Sequence, residues 1–439
     1  MTAFKFSRFS LAVPVTYYGE KCTALYNTLT EAFTLMGEHD WAMALKSGFS
    51  SLNVEQRQAL VQQGIIMTDE IDETSVWESW NRLRTDQGQV VKSKMLVTRK
   101  CPLRCTYCII APEAEEMSAD TALAVDRFYM DYIGRVRPES VRDNYLGGEP
   151  LLKAGLVLES AIRRHYFCLG VGIQYGFTIT TNGILLKRNM IAQLKEVGLN
   201  GLQVSLAGPA AIHDKLRPTH LGGKSYARII ENLKTVSDLV PIYIECQYDA
   251  GSNDYRHIPE MFDDLNRNGI EVADIHFAAI LPRRHDNTYS AGIGDPDKFL
   301  FLTQQARQKD YIKQAEGPRI GCMADMKNVL VFDVDGAIMA CPSLQRGEYV
   351  YGHTQNGIDF VAESQILKRR LPERCLDRCS LLPICGGGCR LMALTNNGDF
   401  NGVDCGYDAY FKVVEDFVQT KALAILANQP QPAVNLNAA

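Results

Sequence analysis

Two rhythms of hydrophobic and polar residues alternate along the middle of the chain. Short runs rich in β-branched residues predict strands, and the longer segments between them repeat their apolar positions at helical spacing. The predicted strands lie at 91–98, 142–147, 175–182, 201–208, 241–249 and 272–280. The predicted helices lie at 119–135, 187–197, 226–239 and 258–268. Six such units predict an α/β fold, a partial (β/α)6 TIM-like barrel with functional residues at the carboxyl ends of its strands.

Alternation within the predicted strands assigns their side chains to two faces of the barrel wall. The polar set faces the lumen and comprises Thr178, Thr180, Asn182, Gln203, Ser205, Glu245, Asp274 and His276. A polar lumen is costly unless water, cofactor or substrate fills it, so the pattern predicts a binding cavity. Glu245, Asp274 and His276 are candidate acids or bases, and simple binding of ligand or water is the alternative role for each of them.

Weaker patterns precede the barrel. Val13–Tyr18 alternates like a strand, and helices are predicted at Leu25–Met36, His39–Lys46 and Val54–Gly64. These elements predict a small α+β domain over residues 1–90, with a plain cap on the barrel as the alternative. The remaining predicted units are the barrel at 91–310, a cysteine-rich domain at 311–425 and a disordered Pro/Gln/Asn/Ala-rich tail at 426–439.

Composition and charge narrow the class of partner. With 46% hydrophobic and 22% charged residues among 439, the chain is typical of a soluble globular protein. A formal net charge of −5 gives no electrostatic case for nucleic acid or an anionic membrane. No apolar run approaches the roughly 18 residues of a membrane span, and the start does not resemble a secretion signal. Ten of the thirteen cysteines lie in ligand-like groups, which favours a cytoplasmic location with metal or cluster chemistry.

The segment after the first barrel strand carries three closely spaced thiols. Cys101, Cys105 and Cys108 have C-x3-C-x2-C spacing and no fourth ligand nearby in the sequence. A structural zinc ion takes four protein ligands, whereas three thiols on one loop suit a four-iron cluster with one open iron. Because an open iron can hold a cofactor or substrate, the spacing indicates catalysis. Ordinary thiols beside a turn are the alternative.

This octet, Cys101–Cys108, with Tyr107 before the third cysteine, resembles the cluster loop of the radical S-adenosylmethionine (SAM) enzymes. The resemblance implies that a four-iron cluster reduces bound SAM, which splits into methionine and a 5′-deoxyadenosyl radical that abstracts hydrogen. It also implies a set of SAM contacts: Gly147, Gly148 and Glu149 at the amino group, Asn182 and Ser205 at the ribose or carboxylate, Arg217 at the carboxylate and Tyr107 at the adenine.

Alternatives stay open for several of these contacts. Asn182 and Ser205 are equally suited to capping the ends of their strands. Arg217 is equally suited to an exposed position beside a helix, and His213 is expected to cap backbone or face solvent.

Seven cysteines follow the barrel among short turns and glycines. Cys322, Gly336-x4-Cys341, Cys375-x3-Cys379-x5-Cys385-x3-Cys389 and Cys405 resemble the SPASM extension of radical SAM enzymes. The resemblance implies two auxiliary [4Fe-4S] clusters, and three clusters in all. The implied ligands are Cys322, Cys341 and Cys389 for the first auxiliary cluster, and Cys375, Cys379, Cys385 and Cys405 for the second. The chain departs from the usual pattern in having three residues, not two, between Cys375 and Cys379. A zinc-ribbon-like fold that uses the same thiols is the alternative.

The two cysteine patterns together resemble radical SAM maturases of ribosomally made peptides. The resemblance implies hydrogen abstraction from an unactivated carbon, formation of a thioether or carbon–carbon crosslink, and a reductant such as flavodoxin or ferredoxin. The N-terminal region resembles a winged-helix peptide-recognition domain, which would bind the leader of the precursor peptide by adding a strand to a sheet edge.

Two other functions stay open from the sequence. One is a protein dehydrogenase like the sulfatase maturases, which is disfavoured by Pro342 after Cys341 and by the absence of cysteine between Cys246 and Cys322. The other is a zinc-stabilised binding protein with no redox role.

Overall fold

A computed structural model describes most of the 439-residue chain, namely residues 3–85, 89–108, 110, 115–282, 288–290, 293–312 and 321–428. Within these residues the strands form a two-stranded, a three-stranded and an eleven-stranded sheet. The largest sheet passes through both the barrel and the cysteine-rich region. None of the described helices combines the length and apolar composition needed to cross a membrane.

The N-terminal region is a small α+β domain. Its strands are β1 (Phe4–Phe6), β2 (Ser10–Tyr17), β3 (Glu20–Asn27), β4 (Phe33–Gly37) and β5 (Ile66–Thr68), and its helices are α1 (Glu38–Lys46), α2 (Val54–Gln62) and α3 (Glu73–Thr85). Strands β2, β3 and β4 form an antiparallel sheet, while β1 pairs with β5. The predictions of a strand at Val13–Tyr18 and of helices at His39–Lys46 and Val54–Gly64 are confirmed.

The predicted helix at Leu25–Met36 is wrong, because this segment contains the end of β3, a turn and β4. The carboxamide of Asn27 accepts hydrogen bonds from the backbone N–H groups of Leu29 and Thr30, at 2.9 Å each. Such local bonds give the backbone an alternative to the helical ladder. Strand pairing then buries Leu25 in the core of the domain.

The barrel is formed by six parallel strands, as predicted. In chain order its elements are β6 (Val90–Thr98), α4 (Ala119–Val136), β7 (Ser140–Gly147), α5 (Ala154–Gly170), β8 (Gln174–Thr181), α6 (Arg188–Glu196), β9 (Leu199–Leu206), α7 (Ala210–Leu216), α8 (Tyr226–Lys234), β10 (Ile242–Asp249), α9 (Pro259–Arg267) and β11 (Asp274–Pro282). Every predicted barrel strand lies within two residues of the observed bounds. Strand β12 (Thr288–Ser290) then pairs antiparallel to β11, and α10 (Pro296–Gln308) follows.

The cysteine-rich region continues the barrel sheet. Its strands are β13 (Val329–Phe332), β14 (Ala337–Met339), β15 (Val350–His353) and β16 (Gly357–Ile358). Strand β13 pairs parallel to β6, and the other three follow as antiparallel neighbours. Its helices are α11 (Phe360–Leu367), α12 (Glu373–Arg378), α13 (Leu382–Cys385), α14 (Arg390–Asn397) and α15 (Tyr407–Ala427).

The last helix joins the two ends of the chain. Apolar residues of α15, including Val414 and Phe417, pack on Val13 and Tyr26 of the N-terminal sheet. The rings of Tyr26 and Phe417 meet edge to face with centroids 5.6 Å apart. Helix α15 extends through the first two residues of the predicted tail, whose residues 429–439 lie outside the described part of the chain.

A buried charge network joins the barrel wall to its helices. Arg164 of α5 is 0% exposed and pairs with Asp126 of α4 and Asp143 of β7, at 2.8 Å each. Its guanidinium also donates to the hydroxyl of Ser93 on β6, at 3.0 Å. Because these acceptors replace water around the cation, the network permits a charged group inside the core.

Candidate active site

The loop Cys101–Cys108, here called the cluster loop, leaves the carboxyl end of β6 and is held from one side by the turn after β7. The backbone N–H of Gly148 donates to the carbonyl of Thr98 at 2.8 Å, and that of Glu149 donates to Lys100 at 2.9 Å. These bonds fix the Gly-Gly-Glu-Pro turn against the start of the cluster loop. The two motifs that were separate in the sequence are therefore one structural unit.

The other side of the cluster loop is held by the segment that follows α7. Backbone N–H groups of Arg104 and Thr106 donate to the carbonyls of Pro218 and Leu216, at 2.7 and 2.9 Å. In return the N–H of His220 donates to Pro102 at 3.1 Å. The sequence analysis singled out this segment only for possible SAM contacts, but it also sets the path of the cluster loop.

Both glycines of the turn are required by close backbone approach. A Cβ atom on Gly147, where φ is +146°, would lie 2.1 Å from the Thr98 carbonyl oxygen. A Cβ atom on Gly148 would lie 2.3 Å from the carbonyl oxygen of Lys100. These contacts are with backbone, which cannot move aside without displacing the cluster loop.

We therefore expect Gly148→Ala to displace the cluster loop and to reduce SAM cleavage by about 100-fold, the order of effect expected for a misplacement of about 1 Å. The measurement is 5′-deoxyadenosine formation by the anaerobic enzyme. Gly155→Ala is the matched control, because a Cβ atom there meets nothing within 4 Å. Wild-type cleavage by Gly148→Ala would contradict this role of the turn.

The three thiols of the cluster loop lie close to one another. Burial raises the pKa of Cys101 to about 12, and the neighbouring Cys105 and Cys108 thiols contribute to the increase. The carboxamide of Asn182, at the end of β8, approaches the Cys101 sulfur at 3.5 Å. Metal ligation requires thiolates, so a bound cationic centre would have to supply the energy of ionisation. The cluster loop therefore offers three sulfur donors on one loop, as the sequence spacing predicts.

Arg217 lies inside the protein beside the cluster loop, so its alternative as an exposed arginine is wrong. Its guanidinium donates to the hydroxyl of Tyr107 at 2.6 Å and to the carboxamide oxygen of Gln247 at 3.3 Å. The Tyr107 hydroxyl in turn donates to Gln247 at 3.1 Å. The Nε of Arg217 is buried without a hydrogen-bond partner in the described structure. A buried unused N–H suits an anionic ligand such as the carboxylate of SAM.

Glu149 is fully buried and ties the turn to the end of β8. One carboxylate oxygen accepts from the Leu151 N–H at 3.0 Å and the Thr181 hydroxyl at 2.8 Å. The other accepts from the Asn182 N–H at 2.8 Å, which leaves it capacity for a further donor. Burial raises the pKa of Glu149 from its ordinary value, while these hydrogen bonds oppose the shift. An ammonium group of SAM at this position stays a prediction.

His213 does not face solvent, so that part of its prediction is wrong. It is 0% exposed, and its Nδ1 accepts from the backbone N–H of Ala207, just after β9, at 3.3 Å. Its ring also packs edge to face on Tyr226, with centroids 5.4 Å apart. Burial lowers the pKa of His213 well below its ordinary value, so the ring is neutral and acts as a capping group.

A chain of hydrogen bonds crosses the wall of the lumen. Asn144 donates to Thr180 at 3.1 Å, and Thr180 donates to Gln203 at 3.1 Å. Gln203 then donates to the carboxylate of Glu245 at 2.9 Å. In the sheet register Glu245 lies beside Ser205 of β9. Side-chain alternation therefore identified a continuous polar surface within the barrel.

The candidate bases differ in depth along the barrel. Asp274 is the first residue of β11 and pairs in register with Tyr243, four residues before Gln247. At about 3.3 Å per residue, this places Asp274 about 13 Å along the strand direction from Gln247, which accepts a hydrogen bond from Tyr107. His276 pairs with Glu245, about 7 Å from the same point. Of the three candidates, Glu245 and His276 are therefore nearer to the cluster loop.

Lys94 is a lumen residue that the sequence analysis missed. It lies on β6, in register with Asn144, and its ammonium group has no hydrogen bond or ion pair to another described residue. Burial lowers the pKa of Lys94, whereas its electrostatic interactions with Cys341 and Glu245 oppose that shift. Alternation on β6 could have identified it, because Lys94 lies on the face of the strand opposite to the buried Val91 and Met95.

The seven C-terminal thiols form two groups in space. In the first group, burial raises the pKa of Cys341 to about 12, with contributions from the neighbouring Cys322 and Cys389 thiols. In the second group, burial raises the pKa of Cys385 to about 11, and nearby Cys379 and Cys405 contribute. The same two thiols raise the pKa of Cys375 after the larger effect of burial. The two groups thus contain the residues that the resemblance to SPASM implied for each.

The second group lines one cavity. Leu381, Leu382 and Tyr410 are also among its walls. Four sulfur donors around an apolar cavity fit an iron–sulfur cluster. Within the described ranges, no three Cys, His, Asp or Glu side chains converge as a site for a single metal ion.

The N-terminal domain contacts α12 and the residues just after it, which carry the first two cysteines of the second group. The hydroxyl of Thr28 donates to the Ser380 carbonyl at 2.6 Å, and that of Thr74 donates to Leu376 at 3.1 Å. Leu376 is one of the three residues between Cys375 and Cys379, where the SPASM pattern usually has two. The unusual spacing therefore lies at the contact between the two domains.

Comparison with known proteins identifies the class. Residues 95–265 match the Radical SAM superfamily. This match lies within the barrel and supports a radical SAM domain there. The fold of the chain resembles those of two solved structures. It aligns with native anSMEcpe with bound AdoMet at a TM-score of 0.59 and 17% identity, covering 77% of this chain and 99% of that one. It also aligns with Streptococcus suis SuiB bound to precursor peptide SuiA, at a TM-score of 0.55 and 15% identity, over 92% and 99% of the two chains.

Curated relatives found by sequence match only part of this chain and only part of their own length. The GTP 3′,8-cyclase of Peptoclostridium acidaminophilum is 26% identical over 197 residues, which is 44% of this chain and 55% of the cyclase. The chain spans about half the length of the curated relatives it matches first. These similarities support the domain class and leave the substrate to be inferred from this chain's own residues.

Proposed function

We propose that this chain is a radical SAM maturase that installs a thioether or carbon–carbon crosslink in a ribosomally made peptide. The observation that carries the proposal is the gathering of seven cysteines into two groups beside a barrel with a polar lumen. The cluster bound at the cluster loop would supply an electron that splits SAM into methionine and a hydrogen-abstracting 5′-deoxyadenosyl radical. Cys101, Cys105 and Cys108 are the residues that would hold it.

Crosslinking removes two hydrogen atoms from the peptide. The lumen and the first cysteine group are suited to accept the proton and the electron of the second hydrogen. The first hydrogen leaves as an atom on 5′-deoxyadenosine, so the second must leave as a proton and an electron. Glu245 is a carboxylate in the lumen that can accept the proton. Cys322, Cys341 and Cys389 would hold an electron acceptor near Lys94, and the other four cysteines would hold a further cluster.

The N-terminal sheet offers an edge for the leader of the peptide. Among the described strands, β2 and β4 are its two edges. Strand β2 contains Pro14, which has no N–H to donate to an added strand. Strand β4 has no proline, so it is the edge at which we place the leader. The fold shared with peptide-bound SuiB agrees with a peptide substrate.

We expect Glu245→Gln to reduce crosslink formation by about 100-fold, the lower range for loss of a general base, because the amide cannot take up the proton. SAM cleavage should continue, so the ratio of 5′-deoxyadenosine to crosslinked peptide should increase. Glu271→Gln is the control at an exposed position outside the lumen. If Glu245→Gln leaves the ratio of 5′-deoxyadenosine to crosslinked peptide unchanged, another group accepts the proton that leaves the peptide.

The proposal is tested by anaerobic reaction of the purified chain with SAM, a reductant such as flavodoxin, and a small peptide encoded beside its gene. The expected result is peptide-dependent 5′-deoxyadenosine and a peptide that has lost two hydrogens with a new crosslink. A new aldehyde instead would establish the dehydrogenase alternative. Consumption of GTP, with no change in peptide mass, would overturn the peptide assignment.

A further inference from the structure

One arginine contacts the backbone of both auxiliary cysteine groups. Arg369 follows α11, and its side chain is only 7% exposed. Its guanidinium donates to the carbonyls of Gly388 and Gly402, at 2.9 and 3.2 Å, and also to that of Gly387. The cation thus makes three hydrogen bonds to a small region of backbone and a fourth to the carboxylate of Asp325.

The contacted carbonyls lie in segments that carry cysteines of different groups. The glycine pair separates Cys385, of the second group, from Cys389, of the first. Gly402 lies three residues before Cys405, which belongs to the second group. Because the guanidinium is rigid, it fixes these segments relative to one another.

A carboxylate shared by two arginines extends this arrangement to another cysteine. Asp325 lies three residues after Cys322 and accepts from Arg369 at 3.1 Å and from Arg390 at 2.7 Å. Arg390 directly follows Cys389 and is 0% exposed. Two guanidinium groups thus share one carboxylate among the segments that carry the two groups, and the carboxylate of Asp404 also interacts with Arg369.

The conformation of the glycine run depends on the same arginine. Gly386, Gly387 and Gly388 have φ values of +57°, +98° and +80°, which favour glycine. A Cβ atom on Gly387 would lie 2.8 Å from the guanidinium carbon of Arg369. The run therefore lets the cation approach the backbone between the two groups.

The charge of Arg369 lies beside segments of both groups. Its guanidinium donates to the carbonyls of Gly387 and Gly388, which stand between Cys385 of the second group and Cys389 of the first. A cation held at this place can influence the electron affinity of a cluster in either group.

We propose that Arg369 is a positioning residue shared by the two auxiliary clusters, which fixes their cysteine segments and raises both of their reduction potentials. The inference rests on the proposed function, since it takes the two cysteine groups as cluster ligands. A positive charge favours the reduced cluster because that state carries the additional negative charge. Its three carbonyl contacts should also make the loading of the two clusters interdependent.

The test compares variants of the full-length chain in which Cys101, Cys105 and Cys108 are alanine, so that the spectra report only auxiliary clusters. Redox titration monitored by electron paramagnetic resonance gives the two midpoint potentials, and iron analysis gives their loading. Arg369→Gln should shift both potentials to more negative values, or lose both clusters together. The matched control is Arg370→Gln. The neighbouring Arg370 is 76% exposed, and its ion pair with Asp399 is long, at 3.8 Å.

Two more variants separate charge from geometry. Arg369→Lys keeps the charge but cannot hold three carbonyls, so its potentials should stay near those of the control while its iron content falls. Asp325→Asn removes the opposite charge and should shift the potential of the first auxiliary cluster to more positive values. The positive shift expected for Asp325→Asn tests the role of charge even if Arg369→Gln fails to fold.

Unchanged potentials with full iron in Arg369→Gln would overturn the inference, and so would an effect on only one cluster. A negative shift in Asp325→Asn would also overturn it. These outcomes leave the proposed function standing. The proposed function fails instead if the unmodified chain binds only about four irons, the content of one cluster.

Discussion

Replacing Cys101, Cys105 and Cys108 together with alanine should abolish reductive cleavage of SAM while about eight of about twelve irons stay bound. The three thiols lie on one loop that is fixed from two sides, by the turn at Gly148 and by the segment after α7. Neither auxiliary group shares a residue with this loop. The loss should therefore be complete for catalysis and confined to one cluster, and 5′-deoxyadenosine assays with iron analysis measure both quantities.

The matched control replaces the three thiols outside the cluster groups, Cys22, Cys168 and Cys246, with alanine. Cys168 and Cys246 are buried in helix and strand, and Cys22 is partly buried in the N-terminal sheet. This control should retain its iron and its SAM cleavage. Cleavage at the wild-type rate by the Cys101, Cys105 and Cys108 variant would show that another site splits SAM.

Replacing Arg164 with leucine should destabilise the barrel by about 3–5 kcal/mol, the range for breaking a buried ion pair. The change leaves the carboxylates of Asp126 and Asp143 buried without their shared cation. Those two residues lie on α4 and β7, so the loss affects the wall that carries the Gly-Gly-Glu-Pro turn. Chemical denaturation of the holoenzyme, followed by circular dichroism, measures the shift of the midpoint.

Arg135→Leu is the corresponding surface control, because Arg135 and its partner Asp131 are 69% and 66% exposed. Surface pairs contribute about 0–1 kcal/mol, so its midpoint should stay near that of the wild type. A second comparison combines Asp143→Asn with Arg164→Leu, because Asp126 keeps its ion pair with Arg163 at 2.7 Å. This combined variant should recover part of the lost stability, since the charge of Asp143 is then removed. Equal midpoints for Arg164→Leu and Arg135→Leu would contradict the importance of the buried network.

The sequence predicts the barrel well because its strands are long enough to show the two-residue alternation of apolar and polar side chains. Each of the six strands has eight or nine residues, and each is followed by an amphipathic helix. The N-terminal hairpin was mistaken for a helix because the decisive contacts of Asn27 are with its own turn, and apolar spacing does not report them. The extension of the sheet through β13 was missed, because a strand of four residues has no clear alternation.

The same limits apply to the candidate site. Spacing alone predicted the trio on the cluster loop, because ligands on one short loop are constrained by the chain itself. The two C-terminal groups were implied by the resemblance to SPASM, since Cys389 joins Cys322 and Cys341, which are distant in sequence. Lys94 was missed although alternation on β6 gives it a lumen position. The role of Arg369 was not predictable, because its partners belong to the backbone or, like Asp325, are distant in sequence. Burial decided the alternatives for Arg217 and His213, which the local sequence left open.

The central claim is that ten cysteines hold three four-iron clusters, one of which cleaves SAM. The most direct measurement is the iron, sulfide and zinc content of the chain purified without oxygen, with an absorption spectrum of the same sample. A brown protein with about twelve irons and about twelve sulfides per chain is the predicted result. A colourless protein that binds stoichiometric zinc and no iron would contradict the account.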